Sequence, residues 1–386
     1  MEKIKFLQVL KNDKVFAVIL LISLISAFRS LIIPLQGDEI TYFKIAENIL
    51  KGKYYLHEYP STVTPIIPFF IALFHTSFSP EIGIILLKCF NLLFTALGFR
   101  FLYLFLKNQN IDVRIILSII MLTVVNTNSI AWFSSLYPEA ILFLSFWGFI
   151  YYFSLEVSVE NFKKMFILLL LLSMTRYLYL ILGLTVLFYY YRCLQNKSVY
   201  KIEIKQIVFY SFLFLIPVIL WFKYVYSIEQ QQLSEISYFN RFQNDNSFLS
   251  NIKYGLGLGI HPEVSKVNGI PAFISLFVPI TGLRNYLVSV FLILLFLIGY
   301  IKTKKSLGIN LLFSCTVLIM LGLVFAGTGF SRYWLILLPS FYIGYYFLFN
   351  SFNFKDDWFV RISKFISIVY VINELRIDYM IFNKYL

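Results

Sequence analysis

The chain predicts an all-α, polytopic membrane protein of about eleven helical spans, and three observations carry that expectation. Of its 386 residues, 59% are hydrophobic, 20% aromatic and only 14% charged. Apolar runs long enough to cross about 30 Å of hydrocarbon recur along the whole length. No polar block is large enough to fold as a separate soluble unit, so residues 1–386 are expected to form a single integral membrane domain. The formal charge of +13 does not point to nucleic acid, because basic residues in such a chain mark cytoplasmic loops and lipid headgroup contacts. Cys89, Cys193 and Cys315 lie far apart in apolar sequence, a spacing that indicates neither a disulfide framework nor a zinc site.

The first expected span, 14–33, follows four lysines and reads "VFAVILLISLISAFRSLII". It is too long for a cleaved signal peptide and no small-residue cleavage site follows, so it is expected to stay as an anchor. Further spans are expected at 82–106, 113–131, 136–153, 206–226, 284–301, 307–326, 332–350 and 364–381. The run 165–191 is long for one helix and carries Thr175-Arg176 near its middle; a break there would keep the guanidinium out of hydrocarbon. The segment 65–78, with Pro65 and Pro68 in its first turn, is read either as an interfacial helix, the preferred reading, or as a short span.

With the N-terminus inside, the basic clusters Lys3 to Lys14, Lys107 with Arg114, Lys163-Lys164, Arg192 to Lys205, Lys302 to Lys305 and Lys355 to Lys364 all fall on one side. The first outer loop is then 34–81 and the second long outer segment 227–283. Asp38-Glu39, Tyr137-Pro138-Glu139, Thr175-Arg176 and Ser331-Arg332 face the outer side together.

In "QGDEITYFKIA", Asp38-Glu39 opens a segment with Ile40, Phe43, Ala46 and Ile49-Leu50 at helical spacing, an amphipathic helix expected to lie along the outer membrane surface. Asp38 has two readings: an N-cap with Glu39 set against the helix dipole, or a carboxylate at the water–lipid boundary acting as general base or cation ligand. Glu139 is either an ordinary first-turn residue after Pro138 or a second functional acid. Arg332 opens a late span after "GTGFS", where backbone amides, dipole and guanidinium would together favour a phosphate; the other reading is an arginine snorkelling to the interface. A mid-membrane Arg176 is expected to face a polar cavity or a partner.

The order "GDEITYFKIAENILKGKYY", "HEYPSTVTPIIPFFIALF", "LYPEAILFLSFWGFIYY", "LLSMTRYLYLILGL", "GFSRYWLILLPSFYIGYY" resembles the GT-C superfamily of membrane glycosyltransferases, of the protein mannosyltransferase and lipid A aminoarabinose transferase type. The likeness runs in order through most of 14–345. Where that family usually has Lys-Pro-Pro, this chain has Ser61-Thr62-Val63-Thr64-Pro65, and its Thr-Arg-Pro is here Thr175-Arg176-Tyr177; both departures bear on the substrate. The resemblance implies an enzyme moving a sugar from a polyprenyl-phosphate donor to a lipid, glycan or protein acceptor on the outer face of a cell's inner membrane, with inversion. It implies Asp38, Glu39 and Glu139 as catalytic acids. Arg176, Arg332 and Tyr333 would contact the substrate, with Tyr59, Tyr238 and Arg241 added from the outer loops. No cofactor is required by this reading; Asp38 and Glu139 are the expected ligands should a divalent cation such as Mg or Mn take part. Two alternatives stand beside it: a polysaccharide polymerase of the O-antigen type acting on pyrophosphate-linked oligosaccharides, and a lipid-linked-glycan flippase or transporter.

Overall fold

A computed structural model describes residues 13–53, 63–195, 201–232, 247–261, 265–279, 282–302, 306–327 and 331–385. It is built almost wholly of α-helix, with one two-residue antiparallel pair, β1 (Ile260–His261) and β2 (Lys266–Val267). The described helices are α1 (Lys14–Phe28), α2 (Asp38–Leu50), α3 (Ile66–Ser77), α4 (Pro80–Asn108), α5 (Val113–Val124), α6 (Thr127–Ser134), α7 (Glu139–Ser154) and α8 (Val159–Thr175). They continue as α9 (Leu184–Gln195), α10 (Lys201–Gln232), α11 (Ser247–Leu256), α12 (Tyr286–Lys302), α13 (Leu307–Phe325), α14 (Ser331–Trp334), α15 (Leu338–Ser351) and α16 (Asp356–Tyr385). Short 3₁₀ turns follow α1, α8, α11 with its hairpin, and α14.

Helix starts follow local chemistry. Asp13, Ser79, Asp112, Asn126, Ser158 and Ser306 each accept a hydrogen bond from a first-turn amide of the helix they open. At Asn126 this cap also ends a helix: α5 and α6 meet at 68°, and the Asn126 amide reaches across to the Leu276 carbonyl.

Among the described residues, four helices are long and apolar enough to cross a membrane, at Lys14–Leu31, Pro80–Asn108, Ile204–Ser227 and Leu307–Phe325; the bent pair α5–α6 makes a fifth if it counts as one span. The other apolar helices are shorter, among them α7 at 16 residues and α12 at 17, below the roughly 20 that a full crossing needs. Length and composition therefore account for four or five of the eleven expected spans. The α7 helix is buried on nearly every side, with Phe143, Phe146, Trp147, Phe149 and Ile150 all at 0% exposure, so its apolarity serves protein packing. By contrast α10 turns Phe209, Phe212, Ile219 and Leu220 outward, each at least 60% exposed, the surface a hydrocarbon solvent would cover.

The break expected within 165–191 is present: α8 stops at Thr175, Arg176 is extended, and a 3₁₀ turn over Tyr177–Gly183 leads into α9. The helix over Asp38–Leu50 is also present, and its expected apolar face is buried in part, through Ala46 with Phe43 and Ile49 against the same cluster. Ile40 and Leu50 are exposed, whereas Glu39, Ile45, Ala46 and Asn48 are buried. The reason is that α2 packs on protein on two sides. Ala46 joins Ile67, Ile71, Leu87, Leu136 and Ile141, while Ile45 joins Val225 of α10.

Candidate functional site

The site assembles where α1 hands over to α2, where α7 begins, where α8 breaks and where α14 begins. The turn into α2 is made by Gly37, whose φ of +58° lies in the left-handed region; a Cβ there would also come within 2.8 Å of the Tyr137 hydroxyl. That hydroxyl accepts from the Asp38 amide at 3.2 Å and donates to the Gln36 carbonyl at 3.3 Å. Gly37 is thus the N-cap residue and Asp38 the first helical residue, so the side-chain N-cap expected of Asp38 is not formed.

Glu39 faces inward at 2% exposure. Its Oε1 accepts from the Leu136 amide at 2.7 Å and its Oε2 from the Gln36 amide at 3.0 Å. Oε1 ties the first loop to the 135–138 link and Oε2 closes that loop's own turn onto Gln36, so Glu39, expected as a catalytic acid, sits here as a strut.

Asp38 points the other way. Its side chain is 49% exposed, and its Oδ2 receives Arg332 Nη2 at 2.7 Å. The Arg332 guanidinium is 14% exposed and lies 4.9 Å from the Tyr137 ring, 5.1 Å from that of Tyr333 and 5.4 Å from that of Trp132, an aromatic collar that holds a cation by its ring faces. Arg176, the extended residue after α8, stacks with its guanidinium 3.9 Å from the Tyr333 ring centre. Its Nη2 donates to Glu139 Oε1 at 2.8 Å, with the Glu139 side chain at 0% exposure. Tyr333 thus contacts two guanidiniums, each with one carboxylate. Trp147 Nε1 donates to the Ile336 carbonyl at 3.2 Å, which pins the segment after α14 against α7 and sets the spacing of the two pairs.

Within this cluster, among the described residues, four buried polar atoms lack a hydrogen-bond partner: Glu139 Oε2, Arg176 Nη1, Thr175 Oγ1 and the Tyr179 hydroxyl. One is an acceptor, one a donor and two are hydroxyls capable of both, and unsatisfied buried groups of this kind cost free energy unless something binds them. Burial pushes the Tyr137 hydroxyl up to about 12, with the Asp38 charge adding to it, and burial likewise raises Tyr42, which meets Tyr137 edge-on at 6.2 Å. Both phenols stay neutral donors at ordinary pH.

Beside Arg176 an apolar groove of about 400 Å³ runs between α3, α8 and α10, walled by Pro65, Ile66, Phe69, Met174, Leu220 and Trp221. Its polar edge is fixed by Thr64 Oγ1 donating to the Thr175 carbonyl at 2.6 Å and by Trp221 Nε1 donating to the Tyr177 hydroxyl at 2.7 Å.

Five of the expected residues, Asp38, Glu139, Arg176, Arg332 and Tyr333, are brought into one cluster, with Glu39 behind it. Tyr59, Tyr238 and Arg241 lie outside the described residues. The expected helix-dipole contribution at Arg332 is not available, because α14 is a single turn that passes at once into 3₁₀ structure; the guanidinium acts alone. Among the described residues no three His, Cys, Asp or Glu side chains gather as a metal site, and a cation on Asp38 or Glu139 would have to displace an arginine. Trp132 and Tyr42 were not singled out from sequence, and Tyr137 and Thr175 were named only beside Glu139 and Arg176; a collar whose rings come from distant parts of the chain leaves no periodic signal.

What fold and site define together is a helical chain with segments long and apolar enough to cross a membrane, carrying two arginines and two carboxylates paired beside one tyrosine. Searches of protein-family models, curated proteins and solved structures returned no match to this chain.

Proposed function

We propose that the protein is a membrane glycosyltransferase of the GT-C kind, moving a sugar from a polyprenyl-phosphate carrier to a hydroxyl acceptor at the membrane surface. The observation that carries this reading is the pair of guanidiniums of Arg176 and Arg332, both set against the Tyr333 ring, one of them holding the half-exposed carboxylate of Asp38. A phosphodiester entering between them would take over hydrogen bonds that Asp38 and Glu139 now accept, and would free Asp38 for proton transfer.

Asp38 Oδ then removes the proton from the acceptor hydroxyl as that oxygen attacks the anomeric carbon. The bond from the anomeric carbon to the phosphate oxygen breaks, and the phosphate leaves with the electron pair, its charge met by Arg176 and Arg332. Attack opposite the leaving group inverts the anomeric centre. The apolar groove beside Arg176 supports a lipid-borne donor, since an isoprenoid chain on Phe69, Met174 and Trp221 would present its phosphate to that arginine. The unpartnered atoms of Glu139, Arg176 and Thr175 suit the alternating donors and acceptors of a sugar.

The test is transfer by purified protein in nanodiscs with a panel of polyprenyl-phosphate sugars, wild type beside Asp38→Asn and Arg332→Ala. Loss of transfer in both variants, with thermal unfolding unchanged, supports the reading. Extension of a pyrophosphate-linked oligosaccharide without turnover of any monophosphate donor would replace it with a polymerase; full activity in folded Asp38→Asn would remove Asp38 as base.

A further inference from the structure

Two polar side chains are buried within the apolar helix α4. Lys88 and Asn91, three residues apart and hence on one face of it, are 3% and 5% exposed. A buried ammonium is costly unless its protons are taken up, and Lys88 Nζ donates to the Ser30 carbonyl at 2.5 Å and to the Ile33 carbonyl at 3.1 Å. Both carbonyls belong to the chain leaving α1, where a helix end has no internal partner for such groups. Asn91 Nδ2 donates to the Ser135 carbonyl, and Leu87, beside Lys88, packs with Leu136 and Ile141.

The two segments held in this way are the ones that lead into the paired-charge site. Ile33 lies four residues before the Gly37 turn and five before Asp38, and Ser135 lies two before Tyr137 and four before Glu139. Glu39 joins the same segments, its Oε1 accepting from the Leu136 amide at 2.7 Å, and its carboxylate attracts the Lys88 ammonium. One face of α4 therefore holds both segments, and Glu39 ties them to each other.

We propose that Lys88 and Asn91 are positioning residues of the paired-charge site: without touching substrate, they fix the segment bearing Asp38 against the segment bearing Tyr137 and Glu139, and so keep the Asp38 carboxylate in register with Arg332. The Asp38 amide donates to the Tyr137 hydroxyl at 3.2 Å, so drift of one segment against the other moves Asp38 relative to its aromatic collar. A misplacement of about 1 Å in a reacting group costs about 100-fold in rate. The effect on rate rests on the glycosyltransferase reading; the placement of the two segments does not.

The experiment measures amide hydrogen exchange and transfer kinetics of the full-length protein in nanodiscs, wild type beside Lys88→Met, Lys88→Arg and Asn91→Leu. Lys88→Met keeps an unbranched side chain but strands two carbonyls, so exchange over 32–41 should quicken about tenfold or more, and Asn91→Leu should do the same over 135–139. Amides of α13 should exchange as in wild type. In transfer from a polyprenyl-phosphate sugar, both variants should lose about 100-fold in kcat with the donor KM held within about threefold, because the groove beside Arg176 is built by α3, α8 and α10. Lys88→Arg, which can still donate to both carbonyls, should recover most of each effect. Thr95→Val, a control that removes a hydroxyl donating to the Asn91 carbonyl of its own helix, should change neither. Unchanged exchange over 32–41 in Lys88→Met, exchange quickened evenly along the whole chain, a donor KM that rises as kcat falls, or Lys88→Arg no better than Lys88→Met would each overturn the proposal. A wild type that turns over no polyprenyl-phosphate sugar would instead remove the glycosyltransferase reading, and the exchange result would still decide the placement.

Discussion

Asp38 and Glu39 are adjacent in the chain and alike in chemistry, yet they face opposite ways because a helical step of about 100° separates them. Glu39→Ala strands the Leu136 and Gln36 amides, so a loss of about 1–3 kcal/mol is expected, read as a lowered midpoint of thermal unfolding; Glu39→Gln, which keeps one acceptor, should lose less. Asp38→Asn keeps the shape of its side chain and should leave that midpoint alone while lowering transfer by about 100-fold or more, the usual weight of a general base. Opposite behaviour of the two variants is the outcome that separates strut from base. Gly37→Ala meets both a left-handed backbone and the Tyr137 hydroxyl; a cost of about 1–2 kcal/mol is expected, with transfer lowered because Asp38 follows directly.

At the scale of elements, the break after α8 is what lets Arg176 be present at all. A continuous helix would carry the guanidinium to whichever face its register dictates, whereas the extended residue turns it toward Glu139 and Tyr333. A second joint links the first helix to the last. Arg29, at the end of α1, places Nη1 2.7 Å from Glu374 Oε2 and 2.7 Å from Asp378 Oδ1 of α16, and Ser26 Oγ donates to Asp378 at 2.6 Å. All three charged side chains are under 10% exposed. Arg29→Met leaves two carboxylates buried against each other, and a loss of about 3–5 kcal/mol is expected from removing one partner of such a set. The triple variant Arg29→Met, Glu374→Leu, Asp378→Leu should recover most of it in a chemical-unfolding series, and failure to recover would mean that the network does more than latch the helices.

Across the whole molecule, raised phenols tie stability to alkaline pH. The Tyr137 group has an ordinary value of 10.0 and stands at about 12 in the fold. The unfolded chain therefore sheds this proton first: the contribution is fully present below about 10 and is lost as pH rises from there toward 12. Unfolding midpoints measured from pH 9 to 12 should fall across that window, less steeply in Tyr137→Phe. The same distinction between local and distant causes explains what was legible beforehand. Helical class, the break at Arg176, and the gathering of Asp38, Glu139, Arg176 and Arg332 in one place could be read from the chain, because runs of apolar residues and charges set within them are local signals. The full face that α2 buries, the strut role of Glu39, the contact of Tyr333 with two guanidiniums and the Arg29 latch could not. Each depends on partners distant in the chain, and sequence records which groups are costly to bury but not which distant group will satisfy them. The chain by itself thus determined that these charges must be accommodated among helices, and the tertiary structure alone decided how they pair, since pairing is settled by packing distances of a few ångströms that no periodicity encodes.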